Sequence, residues 1–456
     1  MSEIQNPPTA HATSAPLPTG LRNVWWFAIF NALSYQMILG SPMVLYAQSL
    51  GASATVLGIV AGMMPLLVIF QIPAASHIGR VGYKRFVFAG WGTRVVFIFV
   101  LALIPLAGEF LPGTTQLGLL LFLLFGFNLS RGISSAAWLP WITALVPFAV
   151  RGRYLAREAV CVHLASCVTL LLAAACLQAR PSPWQFAVLF GFSALTGSVS
   201  LRFLKRIPDA EPPEKWTSSR EPVPWREIAG YEPFRKLLRM NAAWSVAYGG
   251  LAAFTVAWLK LEAGYGEGRI LLVTSLAFLG GLAGLLYFES RTDRFGSKPV
   301  LTFCLCAWIG IVLGWGLLAG RVLAPRFGIV LALELLMGFA YALVNMNNTR
   351  LAMVLAPEMG RSHFFALYSV VANLTHGLAP VGWGLLIDVF GARQVVWFGV
   401  ELNRFSLFFA GVLGIFLLTL WLCRRLDEPK ARDMDELIRE LLASPQRLWL
   451  RLWPRG

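Results

Sequence analysis

Charge is what this chain has least of. Only 13% of its 456 residues are Asp, Glu, Lys or Arg, about half the share of a soluble domain. Against this, 57% are hydrophobic and mean hydropathy is +0.65. That balance excludes an ordinary water-soluble domain. Acidic residues are scarcest of all: from Val24 through Leu204 there are only Glu109 and Glu158. Coupling to an ion through a membrane carboxylate must therefore draw mainly on the second half of the chain. Cysteine is also sparse. Cys161, Cys167, Cys176, Cys304, Cys306 and Cys423 fall within or beside apolar runs. None has zinc-ligand spacing, and Cys304-x-Cys306 is too tight for the usual pair, so small buried side chains are expected. No Walker motif occurs, which argues against ATP-driven pumping. No nucleophile, base and orienting group stand together at a spacing that suggests an enzyme. No metal or other cofactor is called for. The first twenty residues lack a basic region, apolar core and cleavage site, so the first span is expected to stay as an anchor.

What the chain has in abundance is apolar runs of membrane length. A helix needs about 20 such residues to cross the hydrocarbon core. About twelve are found, beginning near Val24, Ala54, Phe86, Leu117, Ala156, Trp184, Asn241, Leu271, Pro299, Gly328, Phe364 and Phe405. The longest polar interruption, Lys205 to Arg239, carries charges every few residues and prolines at Pro208, Pro212, Pro213, Pro222 and Pro224. The organisation expected is a disordered N-terminus (1–23), a six-helix bundle (24–204), a connector (205–239), a second six-helix bundle (240–423) and a polar tail (424–456).

The net charge of +15 does not form a nucleic-acid patch, because the basic residues sit in short clusters between apolar runs. They fall in alternate connections: Arg80, Lys84 and Arg85; Arg151, Arg153 and Arg157; the connector; Arg291, Arg294 and Lys298; Arg350 and Arg361. Since cytoplasmic loops carry excess Lys and Arg, both termini are expected in the cytoplasm, with the bacterial inner membrane as the location. In the tail, Met434, Leu437, Ile438, Leu441 and Leu442 fall at i, i+3, i+4, i+7 and i+8. Such an amphipathic helix lies either on the lipid surface or against the protein's own cytoplasmic face.

Two loops recur. The sequence from His77 to Phe86 is echoed from Arg291 to Val300, and that from Leu145 to Tyr154 from Leu355 to Phe364. Nearly the same length of chain separates Arg80 from Arg294 and Arg151 from Arg361, as a duplicated six-helix unit requires. The loop Asp293-Arg294-Phe295-Gly296-Ser297-Lys298, with the twelve runs and the connector, resembles the major facilitator superfamily of secondary transporters. The resemblance covers about Val24 to Cys423. It implies an all-α polytopic fold of two six-helix pseudo-repeats, and loops that latch one conformation through Arg80, Gly82, Lys84, Asp293, Arg294, Gly296 and Lys298. Gly79 stands where the family usually has an aspartate, which places more weight on Asp293.

The resemblance leaves the solute open, so polar groups inside the spans must point to it. Glu334, Gly338, Tyr341, Asn345 and Asn348 form one helical stripe on the tenth span. It reads as a cavity wall, although asparagines also serve as glue between helices. On the fourth span Asn128 and Arg131 share a face, and Arg131 either meets an anion (Glu158, Glu334 or the solute) or snorkels to the boundary. Asn31, Ser34 and Tyr35 share a stripe on the first span, with Gln36 off it; Ser369, Asn373 and His376 share one on the eleventh. The solute-binding candidates are Asn31, Tyr35, Asn128, Arg131, Tyr341, Asn345 and Asn373. The candidates for proton coupling are Glu334, His163 and His376. Trp138, Trp141, Trp244, Trp258 and Trp383 are available as apolar cavity walls. The reading is a monomeric secondary transporter of a small polar solute, sugar-like or an organic anion, embedded in the bilayer and working by alternating access with or without protons. The alternatives are a transporter-like sensor or assembly protein that moves nothing, and a lipid flippase.

Overall fold

The computed structural model describes residues 20–146, 148–178, 181–210, 230–355, 361–428, 432 and 434–440; the side chains of 148–153, 289–293 and 361–363 fall outside that description. Among the described residues twelve helices are long and apolar enough to cross a membrane. Spans 1–6 are Arg22–Ser49, Ala54–Ala75, Tyr83–Glu109, Gly113–Leu145, Tyr154–Cys176 and Pro183–Arg206. Spans 7–12 are Glu232–Leu261, Glu267–Phe288, Ser297–Ala319, Phe327–Leu355, Phe364–Phe390 and Arg404–Arg424. The chain is an all-α polytopic membrane protein.

Helix packing repeats after six spans. Span 1 packs on 5 and 6, span 3 on 4 and 6, and span 2 on 4. Adding six to each number gives contacts that are also present: 7 on 11 and 12, 9 on 10 and 12, 8 on 10. The duplication suggested by two short loops therefore extends to the whole bundle. The main contacts between the halves obey the same rule, because span 2 lies along 11 and span 5 along 8. Lipid chains are as apolar as leucine, so these contacts depend on close packing rather than on water exclusion. Small residues supply it. A side chain at Gly62 would strike the carbonyl of Gly377, one at Gly58 the backbone of Pro380, and one at Gly268 the carbonyls of Ala174 and Leu177.

Polar groups tie the halves at one end. The Asp388 carboxylate accepts from the backbone N–H of Ala54 (3.0 Å) and Thr55 (2.8 Å) and from the Thr55 hydroxyl (2.6 Å). It thus caps the start of span 2 from the far half, where the helix leaves N–H groups without intrahelical partners. Ser41 on span 1 donates to Thr274 on span 8 at 3.3 Å. Both seams lie at the end away from the basic loops.

Two departures from the expected boundaries have physical causes. Span 7 begins at Glu232, well before Asn241, because a helix need not stop where the bilayer does. Pro233 sits in its first turn, Phe234 and Leu237 are buried, and Lys236 is brought to Asp427 at 2.8 Å. Between spans 11 and 12 the chain forms a hairpin, β1 (Val395–Trp397) and β2 (Val400–Leu402). Its turn residues Phe398 and Gly399 both have positive φ, 45° and 76°, the backbone of a tight two-residue hairpin loop.

After span 12 the tail packs under the second half. Glu428 accepts from the backbone N–H groups of Ser297 (3.0 Å) and Lys298 (2.6 Å), Arg432 N–H donates to the Phe295 carbonyl (3.0 Å), and Glu440 pairs with Arg294 (2.6 Å). Leu437 in the helix 434–440 is fully buried. Of the two sites expected for this helix, its described part takes the protein's own face; residues 441–456, Asp433, the connector from 211 to 229 and the N-terminus through 19 lie outside the described residues.

Candidate functional site

A cavity of about 770 Å³ lies between the halves. Its walls come from spans 1, 2, 4 and 5 on one side and 7, 8, 10 and 11 on the other, a set that is itself unchanged on adding six. Spans 1 and 7 are broken where they meet it. Gly40 is extended (φ −97°, ψ −167°), and a new helix starts at Ser41 with Pro42 in its first turn. Gly250 is left-handed (φ 81°), and the helix restarts at Leu251. A left-handed backbone suits glycine, and non-helical backbone at membrane depth is tolerated where it borders a cavity. Gly40, Ser41 and Gly250 are all wall residues.

The second half carries most of the polar wall. Glu334, Tyr341 and Asn345 of the stripe line the cavity, with Gly338 between them. Gly338 allows span 10 to press on the carbonyl of Ala277 in span 8. Glu334 is 4% exposed and has no ion pair among the described residues. Tyr248 stacks on Tyr341 with ring centres 4.4 Å apart and on His376 at 5.9 Å, while Trp244 stacks behind it at 5.4 Å. The outcome is an aromatic wall beside one carboxylate. Asn348 turns away from it and is buried.

The first half gives a mainly apolar wall, including Leu39, Val44, Val60, Met64 and Leu124, interrupted by Gln36, Asn128 and His163. Asn128 donates to the Leu124 carbonyl (2.9 Å), and its Oδ1 is enclosed with no partner among the described residues. His163 Nδ1 lies 2.9 Å from the Ala159 carbonyl. A carbonyl only accepts, so Nδ1 carries the proton, and Nε2 faces Gly281 across the seam.

Several predicted residues stand behind the wall. Asn31 accepts from Trp91 Nε1 (3.1 Å) and from Arg94; Tyr35 lies under the Arg131 guanidinium, 6.0 Å from ring centre to carbon; Asn373 donates to the Ser369 carbonyl (2.8 Å) in its own helix. Gln36, off the predicted stripe, lines the cavity three residues before the helix ends at Leu39. The five tryptophans considered as walls do not line it. Trp141, Trp244 and Trp258 fill the helical core, and Trp383 donates to the Val246 carbonyl at 2.8 Å.

Arg94 was not foreseen. It lies in the middle of span 3, is 1% exposed, and places its guanidinium 4.9 Å from the Trp91 ring and 5.4 Å from the Phe127 ring. Its Nε and Nη1, like Nη1 of Arg131, are enclosed without an acceptor. The signal was present in the sequence: a lone arginine inside an apolar run is expensive, and one occurs in Trp91-Gly92-Thr93-Arg94-Val95-Val96.

Of the loop residues, Gly82 and Gly296 have matching positive φ, 83° and 91°, immediately before spans 3 and 9. Arg80 is exposed and Lys84 half-buried. Arg294 and the Lys298 backbone are held by the tail, and the Asp293 side chain lies outside the described residues.

Two six-helix repeats around a central cavity with broken first helices define a transporter fold. The family model of the Major Facilitator Superfamily matches residues 24–268 and again 250–456. The chain belongs to that superfamily. Among solved structures it is similar to a mutant form of the nucleoside transporter NupG (TM-score 0.68, 11% identity, 90% of this chain and 100% of that one). It is also similar to the xylose transporter XylE from E. coli in an inward open conformation (0.68, 14%, 92% and 98%). A POT family transporter in complex with 5-aminolevulinic acid is a third (0.65, 13%, 90% and 97%). No curated protein matches the sequence.

Proposed function

We propose that the chain is a secondary transporter that carries a small polar solute through the central cavity by alternating access, with Glu334 as the coupling carboxylate. The observation that carries this is Glu334 itself: a carboxylate buried at the seam of the halves, with no ion pair among the described residues. A lone charge in that setting is costly unless it is neutralised by a proton or a ligand. His163 and His376, on the same cavity, supply groups able to exchange that proton. Similarity to nucleoside, xylose and aminolevulinate-binding transporters is compatible with many small solutes and selects none of them. With the basic loops placed in the cytoplasm, the ties at Asp388 and Ser41 close the outer side, and the protein is inward-facing in the bacterial inner membrane. Asn128, Tyr341 and Asn345 then meet the solute directly, and Asn31, Tyr35 and Asn373 support the wall from behind.

The test is uptake into proteoliposomes of the purified protein, screened over sugars, nucleosides and organic acids with and without an acidic exterior. Uptake that the pH gradient accelerates in the wild type, but not in Glu334→Gln, is expected. Uptake whose response to the gradient survives in Glu334→Gln removes Glu334 from the coupling role, and absence of uptake for every solute favours a sensor. The apolar first-half wall also suits an amphipathic lipid. A fluorescent-lipid translocation assay on the same vesicles separates the flippase reading.

A further inference from the structure

We propose that Arg94 and Arg131 together bind the oxyanion, a carboxylate or phosphoryl group, of an organic solute whose body occupies the central cavity. The inference rests on the cavity being the solute site and adds the chemical class of its ligand.

The charge on these two residues is uncompensated. Two arginines lie inside the first bundle against one helix, Arg94 on Asn31 and Arg131 over Tyr35, which are one turn apart on span 1. Arg94 is clamped through one nitrogen by Asn31, which Trp91 Nε1 holds in place. Its remaining two nitrogens and Nη1 of Arg131 have no acceptor among the described residues. No described carboxylate pairs with either. Glu158 forms no ion pair among the described residues. The rings of Trp91 and Phe127 offset part of the cost, about 2 kcal/mol for a desolvated cation–π contact. Taking a cation out of water costs several kcal/mol per ion even after relaxation. The rings do not balance one such charge, much less two. An oxyanion does, because the guanidinium fork matches two oxygens at once.

Neither arginine lines the cavity, but Arg131 stands directly behind its first-half wall. Arg131 is half-buried and one helical turn from Asn128, a wall residue. The helices that restart at Ser41 and Leu251 begin at the cavity, so their positive ends also favour an anion. The apolar and aromatic walls take the organic body.

The experiment is calorimetric titration of the purified full-length protein at constant ionic strength with benzoate, succinate and inorganic phosphate, and with benzamide as the neutral analogue of benzoate. Expected are saturable binding of at least one of the two carboxylates, no binding of benzamide, loss of binding in Arg94→Gln, and binding about tenfold weaker in Arg131→Gln. If Arg94→Gln does not fold, Arg94→Lys keeps the charge without the fork and is expected to bind about tenfold more weakly. Equal binding of benzoate and benzamide overturns the proposal, as does wild-type affinity in the arginine variants or no binding of either carboxylate. Phosphate bound as tightly as both carboxylates reduces the site to one for a free inorganic anion and overturns the organic-solute assignment. Binding without uptake would leave this site standing and remove the transport reading. Uptake of a neutral solute that benzoate does not inhibit would do the reverse.

Discussion

At the residue scale, a few polar side chains in an apolar medium settle how the halves meet. Asp388 is the clearest. Its three hydrogen bonds reach across the seam to an N-terminus, where a capping carboxylate is worth about 1–2 kcal/mol. Asp388→Asn keeps the shape but loses the charge and one acceptor. It is expected to shift the population of the closed outer seam by about tenfold, read as a longer spin-label distance between the loops after spans 1 and 11. An unchanged distance distribution would show that the cap is incidental. Such residues were only partly legible in the sequence. Glu334, Tyr341 and Asn345 could be found because one helical stripe gathers them, whereas the role of Asp388 could not, since a partner 333 positions away leaves no local mark. Arg94 was legible by its cost alone. Gln36 carries no such mark: the polar stripe of span 1 is Asn31, Ser34 and Tyr35, and it faces the interior of its own bundle rather than the cavity.

At the scale of elements, the helices are held by contacts that only glycine permits. Gly338 is the strongest case, since its missing side chain is what lets spans 8 and 10 meet backbone to backbone beside Glu334. Gly338→Val is expected to cost about 1–3 kcal/mol as overpacking and to lower the melting temperature in detergent. Gly310→Val, where the space is open, leaves it unchanged; equal melting temperatures for the two would contradict this account of the packing. Span length and number could be read from hydropathy, because twenty apolar residues have few other uses. The breaks at Gly40 and Gly250 could not, since glycines are common in membrane helices and only the fold shows which pair lies at a cavity. The β-hairpin at Val395–Leu402 was missed for a similar reason: its strands are three residues each, too short for an alternation to register.

For the whole molecule, the repeat is the organising fact. It could be inferred from two loop pairs, and it returns in every major helix contact, in the pairing of 2 with 11 and 5 with 8, and in the two broken helices. A structure made of two like halves around one cavity can tip either way about that cavity. In the conformation seen here the halves touch through Asp388 and through Ser41 with Thr274. In the alternating access proposed above, these contacts part and re-form in each cycle.

The most direct test is to prevent them from parting. In a background with the six native cysteines replaced, Ser41→Cys with Thr274→Cys puts two sulfurs where the hydroxyl oxygens stand 3.3 Å apart, close enough to bridge with a small adjustment. Oxidation is expected to abolish counterflow of the solute found in the uptake screen, and reduction to restore it, while each single-cysteine protein responds to neither. Full counterflow in the bridged protein would show that the solute passes without opening this seam, and would contradict alternating access about the central cavity.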